Sequence, residues 1–199
     1  MNTTKPEWQI LLISGSSGVG KSHLARQLSE HYKTPLTEMD DIRIALQQLV
    51  SREQHPELFT LYDNPDYRIE LNEREFSKQQ LAVAEVVWKA LDPLLSKHIR
   101  LQERVIFEGD CIVPDLLKTR DLEQIKAIFI YDDLEEIKNR QRLRNRPGNP
   151  IEHSETDALF AYTHGMTLKE QAETNDFVAI HASPLETLFE RVITALEQD

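Results

Sequence analysis

Cysteine and long apolar runs are both scarce in this chain. Cys111 is the single cysteine among 199 residues, so an internal disulfide framework is excluded and a reducing compartment is indicated. The most apolar stretch, LAVAEVVWKALDPLL, is interrupted by Glu85, Lys89 and Asp92, and such a stretch cannot span a bilayer. The N-terminal apolar run is too short for a signal peptide. We therefore expect a cytoplasmic protein that makes no membrane contact.

Basic residues are also in short supply, with 23 Lys and Arg against 34 Asp and Glu and a net charge of −11. This balance argues against a general nucleic-acid binder, because neutralising phosphates requires a broad basic surface. A few local cations can still hold a small anion in a cleft. The length and the hydrophobic content of 40% predict one globular domain over residues 1–199.

Short apolar runs alternate with longer helical patterns, which is typical of an α/β fold with a parallel sheet flanked by helices. The predicted strands are 9–14, 35–39, 104–108, 125–131 and 177–180. The predicted helices are 21–32, 42–50, 73–101, 134–146, 156–173 and 185–197. Pro93 lies inside the longest helix and is expected to kink it or break it in two.

The strongest motif in the sequence is a complete G-x-x-x-x-G-K-[ST] between the first strand and the first helix. Its residues are Gly15, Ser16, Ser17, Gly18, Val19, Gly20, Lys21 and Ser22. Glycines allow several main-chain N–H groups to surround one phosphate, and the helix N-terminus adds partial positive charge. Lys21 supplies a mobile cation for the β- and γ-phosphates, and the Ser22 hydroxyl can ligate Mg²⁺. The motif predicts a P-loop NTPase fold that binds ATP and Mg²⁺.

A second group of polar residues, Asp40, Asp41 and Arg43, follows the second strand. Ligands of open parallel sheets bind beyond the carboxyl ends of the strands, so a carboxylate here can accept a proton from an attacking hydroxyl. We predict that Asp40 is this base and that Arg43 holds an anionic group of the substrate. Asp41 is assigned to helix capping or to a Mg²⁺-bound water. The alternatives are that either aspartate caps the helix and that Arg43 is an ordinary surface charge.

The third strand ends in acidic residues, Glu108 and Asp110, with Gly109 between them. An acid in this position orients the waters around Mg²⁺ in P-loop enzymes, and from the residues alone either one fits. The working assignment gives Glu108 the metal waters and Asp110 a substrate contact. Both carboxylates could instead simply end a strand, and Cys111 beside them is expected to serve packing.

Four arginines cluster near the end of the predicted helix 134–146: Arg140, Arg142, Arg144 and Arg146. Pro147 and Gly148 stop the helix, so we predict an arginine-rich lid over 140–165 that closes on ATP. Arg144 and Arg146 are the predicted phosphate contacts, and surface pairing with Glu135 and Glu136 is the alternative. The irregular segment 51–75 is predicted to face the substrate. The histidines show no metal-ligand spacing, and His164 in the predicted lid is the one of interest.

Together, GSSGVGKS, MDDIR, IFEGDCIVPDLL and the arginine-rich helix resemble the P-loop small-molecule kinases called 2-phosphoglycerate kinase-like. The wider relatives of that group are the shikimate and gluconate kinases, the chloramphenicol phosphotransferases and the zeta toxins. The resemblance implies ATP and Mg²⁺ use, with Asp40 as the base and Arg43 as a substrate contact. The chain departs from the group at Asp110-Cys111, where 2-phosphoglycerate kinases tend to carry a Val-His-type pair. The resemblance therefore implies phosphoryl transfer to a small hydroxyl-bearing metabolite without specifying phosphoglycerate.

Three other functions compete with this interpretation. A GTPase would carry an N-K-x-D motif after a late strand, and the sequence has none. A polynucleotide 5′-kinase shares the D-D-x-R pattern, but the acidity of the chain weighs against nucleic acid. A non-catalytic nucleotide-binding regulator would keep the P-loop without using Asp40. The sequence leaves the oligomeric state open.

Overall fold

The structure is a computed structural model, and it describes residues 8–61, 66–143 and 154–197. Five strands are present in this part of the chain: β1 (Ile10–Gly15), β2 (Leu36–Glu38), β3 (Val105–Glu108), β4 (Ile125–Tyr131) and β5 (Val178–His181). The helices are α1 (Lys21–Tyr32), α2 (Met39–Leu49), α3 (Glu57–Thr60), α4 (Tyr67–Glu70), α5 (Glu73–Leu101), α6 (Pro114–Leu117), α7 (Leu134–Leu143), α8 (Ser154–Thr174) and α9 (Leu188–Glu197). No helix within these residues has both the length and the apolar content needed to cross a membrane.

The strands form one sheet in the order β2-β3-β1-β4-β5, and every pair is parallel. The carboxyl ends of all five strands therefore meet at one edge. In the register, Ile13 pairs with Glu108 and Gly15 pairs with Ile130, which brings the end of β3 beside the turn after β1. The predicted fold, a five-stranded parallel sheet flanked by helices, is confirmed.

Two apolar layers cover the two faces of the sheet, and β1 contributes to both. Ile10 and Leu12 face the layer that contains α5, whereas Leu11 and Ile13 face the layer that contains α1 and α9. All four side chains are fully buried, as expected of a central parallel strand covered on both sides. A rigid central strand is what fixes the position of the turn that follows it.

Helix α5 runs without interruption through Pro93, so the predicted break into two helices does not occur. Asn72 caps the helix by accepting from two main-chain N–H groups, and Glu75 completes a capping box. Leu91 and Leu95, on either side of the proline, are fully buried against the sheet. Pro93 itself is exposed, so water can satisfy the carbonyl that loses its helical partner. Tertiary packing therefore outweighs the local cost of proline.

Helix α2 begins at Met39, earlier than the predicted helix 42–50, with Glu38 in the N-cap position. Asp40 and Asp41 consequently lie in the first turn of the helix. Neither one is the cap residue, so the interpretation of an aspartate as N-cap is wrong. Carboxylates in a first turn are still favourable, because they face the positive end of the helix dipole.

Candidate active site

The turn from β1 into α1 has the backbone conformation of an anion-binding loop. Gly15, Gly18 and Gly20 have φ values of 145°, 92° and 92°, a region that residues with a Cβ atom rarely adopt. At Gly15 a Cβ atom would lie 2.3 Å from the main-chain oxygen of Ile130, so only glycine fits against β4. The loop then leads directly into the N-terminus of α1 at Lys21, where unpaired N–H groups and the helix dipole favour an anion.

Lys21 and Glu108 form the charged centre of this site. The Lys21 Nζ atom lies 3.4 Å from Glu108 Oε1, and the two side chains are only 14% and 5% exposed. Burial raises the pKa of Glu108 above its ordinary value, and the charge of Lys21 and the hydroxyl of Ser22 act against that rise. Glu108 therefore lies next to the two P-loop side chains that are predicted to contact phosphate and metal.

Asp110 occupies a different position, on the wall of the neighbouring cavity. Gly109 allows the chain to pass close to α2, because a Cβ atom there would lie 2.6 Å from Cβ of Met39. The position of Glu108 beside Lys21 and the Ser22 hydroxyl favours Glu108 over Asp110 as the acid of the metal site, since Mg²⁺ would take its oxygen ligands from one place. The two roles remain predictions. Cys111 is buried, and burial raises the pKa of its thiol well above the ordinary value, as expected of an inert packing residue.

A cavity of about 850 Å³ extends from the P-loop along the carboxyl edge of the sheet. It is lined by P-loop residues and also by Asp40 and Arg43 of α2, whereas Asp41 is not among its lining residues. The Asp40 carboxylate is 67% exposed and lies 3.5 Å from Arg43 Nε, while the arginine side chain is 10% exposed. Arg43 also donates to Gln47 Oε1 at 3.2 Å. The structure thus places the predicted base and the predicted substrate cation in one cavity with Lys21 and Ser22.

The far wall of the cavity was not predicted from the sequence in any detail. It comes from α4, α5 and α8, with Arg68 held by Asp157 through two hydrogen bonds of 2.7 and 3.1 Å. Tyr67 donates to the same carboxylate at 3.2 Å, and burial together with the charge of Asp157 raises its pKa to about 12. Phe76 and Phe160 line the same wall, with ring centroids 4.8 Å apart.

Part of this wall comes from the segment 51–75, which was predicted to face the substrate. Leu61, Tyr67 and Arg68 belong to this segment and line the cavity, and their contact with substrate stays a prediction. The sequence signal that could have identified the wall is the presence of Phe76 on α5 and Phe160 on α8. Their proximity becomes visible only once the two helices are known to pack together.

The arginine cluster divides between described and undescribed residues. Arg144 and Arg146, the predicted phosphate contacts, lie outside the described residues, as does the 144–153 part of the predicted lid. Arg142 is exposed and pairs with Glu155 at 2.7 Å. Arg140 lies 3.9 Å from Glu136, the surface partner named in the alternative prediction. Its Nε atom also donates to the Gly18 carbonyl of the P-loop at 2.7 Å.

Arg140 also forms an ion pair with Asp132, a carboxylate that is fully buried at the end of β4. Asp132 accepts a further hydrogen bond of 3.0 Å from Ser183 Oγ. Arg140 therefore joins α7, β4 and the phosphate-binding turn, a positioning role that surface-pairing arguments could not reveal.

Sequence comparison relates part of the chain to a kinase. No family model matches the chain. A curated 2-phosphoglycerate kinase from Methanocaldococcus jannaschii is 29% identical over 127 residues, which cover 61% of this chain and 40% of the relative. The match thus spans less than half the length of that relative.

Solved structures with much lower sequence identity extend over nearly the whole chain. Shikimate kinase from Acinetobacter baumannii, solved with shikimate, superposes with a TM-score of 0.55 at 15% identity and covers 96% of this chain and 94% of its own. Shikimate kinase from Bacteroides thetaiotaomicron gives 0.53 at 17% identity, with 94% and 98% covered. A gluconokinase from Sinorhizobium meliloti 1021 gives 0.50 at 17% identity, with 98% and 94% covered. The chain has the fold of the P-loop small-molecule kinases, and part of it resembles a 2-phosphoglycerate kinase in sequence.

Proposed function

We propose that the protein is an ATP-dependent kinase that transfers the γ-phosphoryl group to a hydroxyl of a small metabolite. The observation that carries the proposal is the shared cavity, in which Asp40 and Arg43 line the same space as Lys21 and Ser22. A nucleotide-binding protein without catalysis would need the P-loop but not a carboxylate and a cation beyond it. The M. jannaschii relative, named a 2-phosphoglycerate kinase, supports the same class of reaction.

The P-loop accounts for binding of the triphosphate. Main-chain N–H groups of the loop and the N-terminus of α1 would surround the β-phosphate, and the Lys21 ammonium would reach the β- and γ-phosphates. The Ser22 hydroxyl and Glu108, through water, would hold Mg²⁺, which neutralises charge on the β- and γ-phosphates when bound. The Lys21–Glu108 contact of 3.4 Å keeps the ammonium at this position before ATP arrives.

Asp40 is the proposed general base. The acceptor hydroxyl loses its proton to the Asp40 carboxylate as its oxygen attacks the γ-phosphorus, and the bond from phosphorus to the β–γ bridging oxygen breaks to release ADP. The Asp40 side chain is 67% exposed and lines the cavity, so an acceptor in the cavity can contact its carboxylate. Arg144 and Arg146 are proposed to stabilise the transferring group.

The acceptor is proposed to be a small anion of the hydroxy-acid type. Arg43 is largely buried and lines the cavity, and an arginine in such a position binds a carboxylate or phosphate through two parallel hydrogen bonds. Asp110 is proposed to contact an acceptor hydroxyl. Phosphoglycerates and sugar acids both carry the required anionic group and a free hydroxyl. A polynucleotide acceptor is disfavoured by the net charge of −11.

An ATP-consumption screen tests the proposal. Purified protein with Mg·ATP is offered 2-phosphoglycerate, shikimate, gluconate, nucleosides, aminoglycoside-like compounds and a 5′-hydroxyl oligonucleotide, and each product is checked for a mass increase of one phosphoryl group. We expect acceptor-dependent ADP release with a hydroxy acid. Turnover of the oligonucleotide alone would favour the polynucleotide kinase, and ATP binding without turnover of any acceptor would favour the regulator.

A further inference from the structure

Asp110 differs from the other carboxylates at the cavity because no cation balances its charge in the described part of the chain. Each lysine and arginine that lines the cavity there has a carboxylate partner within 3.5 Å. The pairs are Lys21 with Glu108 at 3.4 Å, Arg26 with Glu38 at 3.0 Å, Arg43 with Asp40 at 3.5 Å and Arg68 with Asp157 at 2.7 Å. The Asp110 side chain is half-buried on the cavity wall, and neither carboxylate oxygen is shut off from solvent.

Asp110 lies beside Asp40, because β2 and β3 run parallel and their last residues pair in the register. One position further on, Gly109 packs so closely on Met39 that a Cβ atom there would lie 2.6 Å from Cβ of Met39. Asp40 and Asp110 are the residues that follow, and both line the cavity. Two carboxylates therefore border the same part of the cavity, and the arginine of that part, Arg43, pairs with Asp40.

The thiol of Cys111 responds to the same group of charges. Burial raises the pKa of this thiol most, the carboxylates of Asp110 and Asp40 raise it further, and the guanidinium of Arg43 acts in the opposite direction. The three charged groups therefore lie around one residue. An acceptor that contacts all three needs only a short carbon skeleton.

His164, a neighbour of Asp110, does not supply the missing positive charge. Burial lowers the pKa of His164 from its ordinary value, and the charge of Lys21 lowers it as well. The carboxylate and the main-chain carbonyl of Asp110 act in the opposite direction without reversing the shift. The imidazole is therefore neutral at pH 7, and the negative charge of Asp110 stays uncompensated.

An acceptor that is only a hydroxy acid leaves this charge in place. Its anionic group binds Arg43 and its hydroxyl faces Asp40, but nothing positive meets Asp110, and bound Mg·ATP is itself anionic. A hydrogen bond from an ammonium group to a carboxylate is roughly twice as strong as one between neutral groups. The cavity thus favours an anion at Arg43 and a cation at Asp110 in the same molecule.

We infer that the phosphoryl acceptor is a hydroxylated amino acid, whose carboxylate binds Arg43 and whose ammonium group binds Asp110. The inference rests on the proposed kinase function and narrows the class of hydroxy acid to one that also carries an amino group. The reaction is unchanged: the hydroxyl proton passes to Asp40, the hydroxyl oxygen forms the new bond to the γ-phosphorus, and ADP leaves. The ammonium group keeps its protons throughout.

Matched acceptors that differ in one group test the inference. L-Serine is compared with L-glycerate, and L-homoserine with L-2,4-dihydroxybutyrate, so that a hydroxyl replaces the ammonium on the same carbon skeleton. The measured quantity is the ratio of kcat/KM for the amino member to that for the hydroxyl member of each pair. We expect wild type to prefer the amino member of at least one pair by about tenfold, the effect of a charged donor in place of a neutral one, and Asp110→Asn to lose this preference.

The matched control is Asp121→Asn, which changes an exposed aspartate just before β4, at the opposite edge of the sheet. Asp121 accepts from the main-chain N–H of Glu123, and the side-chain oxygen of asparagine can keep this bond. We expect this variant to retain the wild-type ratio. Calorimetric titration of the same acceptors into protein saturated with Mg·AMP-PNP is the second measurement, and it does not depend on turnover.

The outcomes separate the acceptor contact from the kinase function. Tighter binding of the amino member that is lost in Asp110→Asn, without any phosphorylated product, would refute the kinase function and keep the contact. Phosphorylation of the hydroxyl members with equal or higher kcat/KM would overturn the inference while the kinase function stands. If Asp110→Asn loses both members equally and requires more Mg²⁺, the carboxylate belongs to the metal site and the inference is wrong. Binding of neither member of either pair would also overturn it.

Discussion

Arg140 gives the sharpest prediction about stability, because its partner Asp132 is fully buried. Replacing it in Arg140→Met keeps much of the side-chain volume but leaves the Asp132 carboxylate without its guanidinium and the Gly18 carbonyl without its donor. Breaking a buried ion pair costs roughly 3–5 kcal/mol. Ser183 Oγ still donates to Asp132, and His181 Nε2 lies 3.4 Å from it, so the expected loss is at the lower end, about 3 kcal/mol.

A protein of this size loses roughly 2–4 °C in Tm for each kcal/mol, so Arg140→Met should unfold about 6–12 °C below wild type in a thermal melt followed by circular dichroism. Arg142→Met on the same helix is the matched control, because the Arg142–Glu155 pair is exposed on both sides and should contribute under about 1 kcal/mol. Adding Asp132→Asn to Arg140→Met should restore part of the loss by removing the buried charge. If Arg140→Met and Arg142→Met melt at the same temperature, the argument that Arg140 secures the P-loop is wrong.

Two further predictions concern the P-loop and the acid beside it. Gly15→Ala should lower both Tm and ATP affinity more than Gly165→Ala. The new methyl group would meet a main-chain oxygen at 2.3 Å in Gly15→Ala, but only the end of a side chain at 2.7 Å in Gly165→Ala. Equal losses of the two variants in thermal melts and nucleotide titrations would contradict this. The pKa of Glu108 is raised above its ordinary value of 4.5, so the folded state binds its proton more tightly, and stability falls as pH rises through the folded pKa. Glu108→Gln should therefore melt at a higher temperature than wild type at pH 7 in the absence of nucleotide, and the difference in Tm should be smaller at low pH. The variant should also show greatly reduced turnover. A lower Tm for Glu108→Gln than for wild type at pH 7 would count against this prediction.

Local sequence signals predicted the elements whose ends depend on local chemistry. The P-loop motif located the turn after β1, and the predicted helices 21–32 and 73–101 have the bounds of α1 and α5. The start of α2 was misplaced, because Met39 was assigned to the end of the second strand. Met39 is fully buried and lies three and seven positions before Ile42 and Leu46, which pack against the same core, so the apolar pattern of the helix includes it. The effect of Pro93 on α5 was overestimated, because the buried leucines that keep the helix continuous contact residues distant in the sequence.

The candidate site was predictable where it lies at strand ends and not where helices meet. Asp40, Arg43 and Asp110 follow predicted strands, and the cavity contains all three. The pair formed by Arg68 and Asp157 joins residues 89 positions apart, and the bond from Arg140 to Gly18 joins residues 122 apart. Periodicity and motif spacing carry no information about such contacts.

The most direct test of the account is transfer of ³²P from [γ-³²P]ATP to an acceptor by wild type, Asp40→Asn and Asp41→Asn. Asp40 lines the cavity and its neighbour in α2 does not, so the two variants alter the charge equally but only one removes the proposed base. We predict that Asp40→Asn lowers kcat by about 10²–10⁴-fold with little change in ATP affinity, and that Asp41→Asn stays within a few-fold of wild type. Equal label transfer by wild type and Asp40→Asn would contradict the assignment of Asp40 as the base of a kinase.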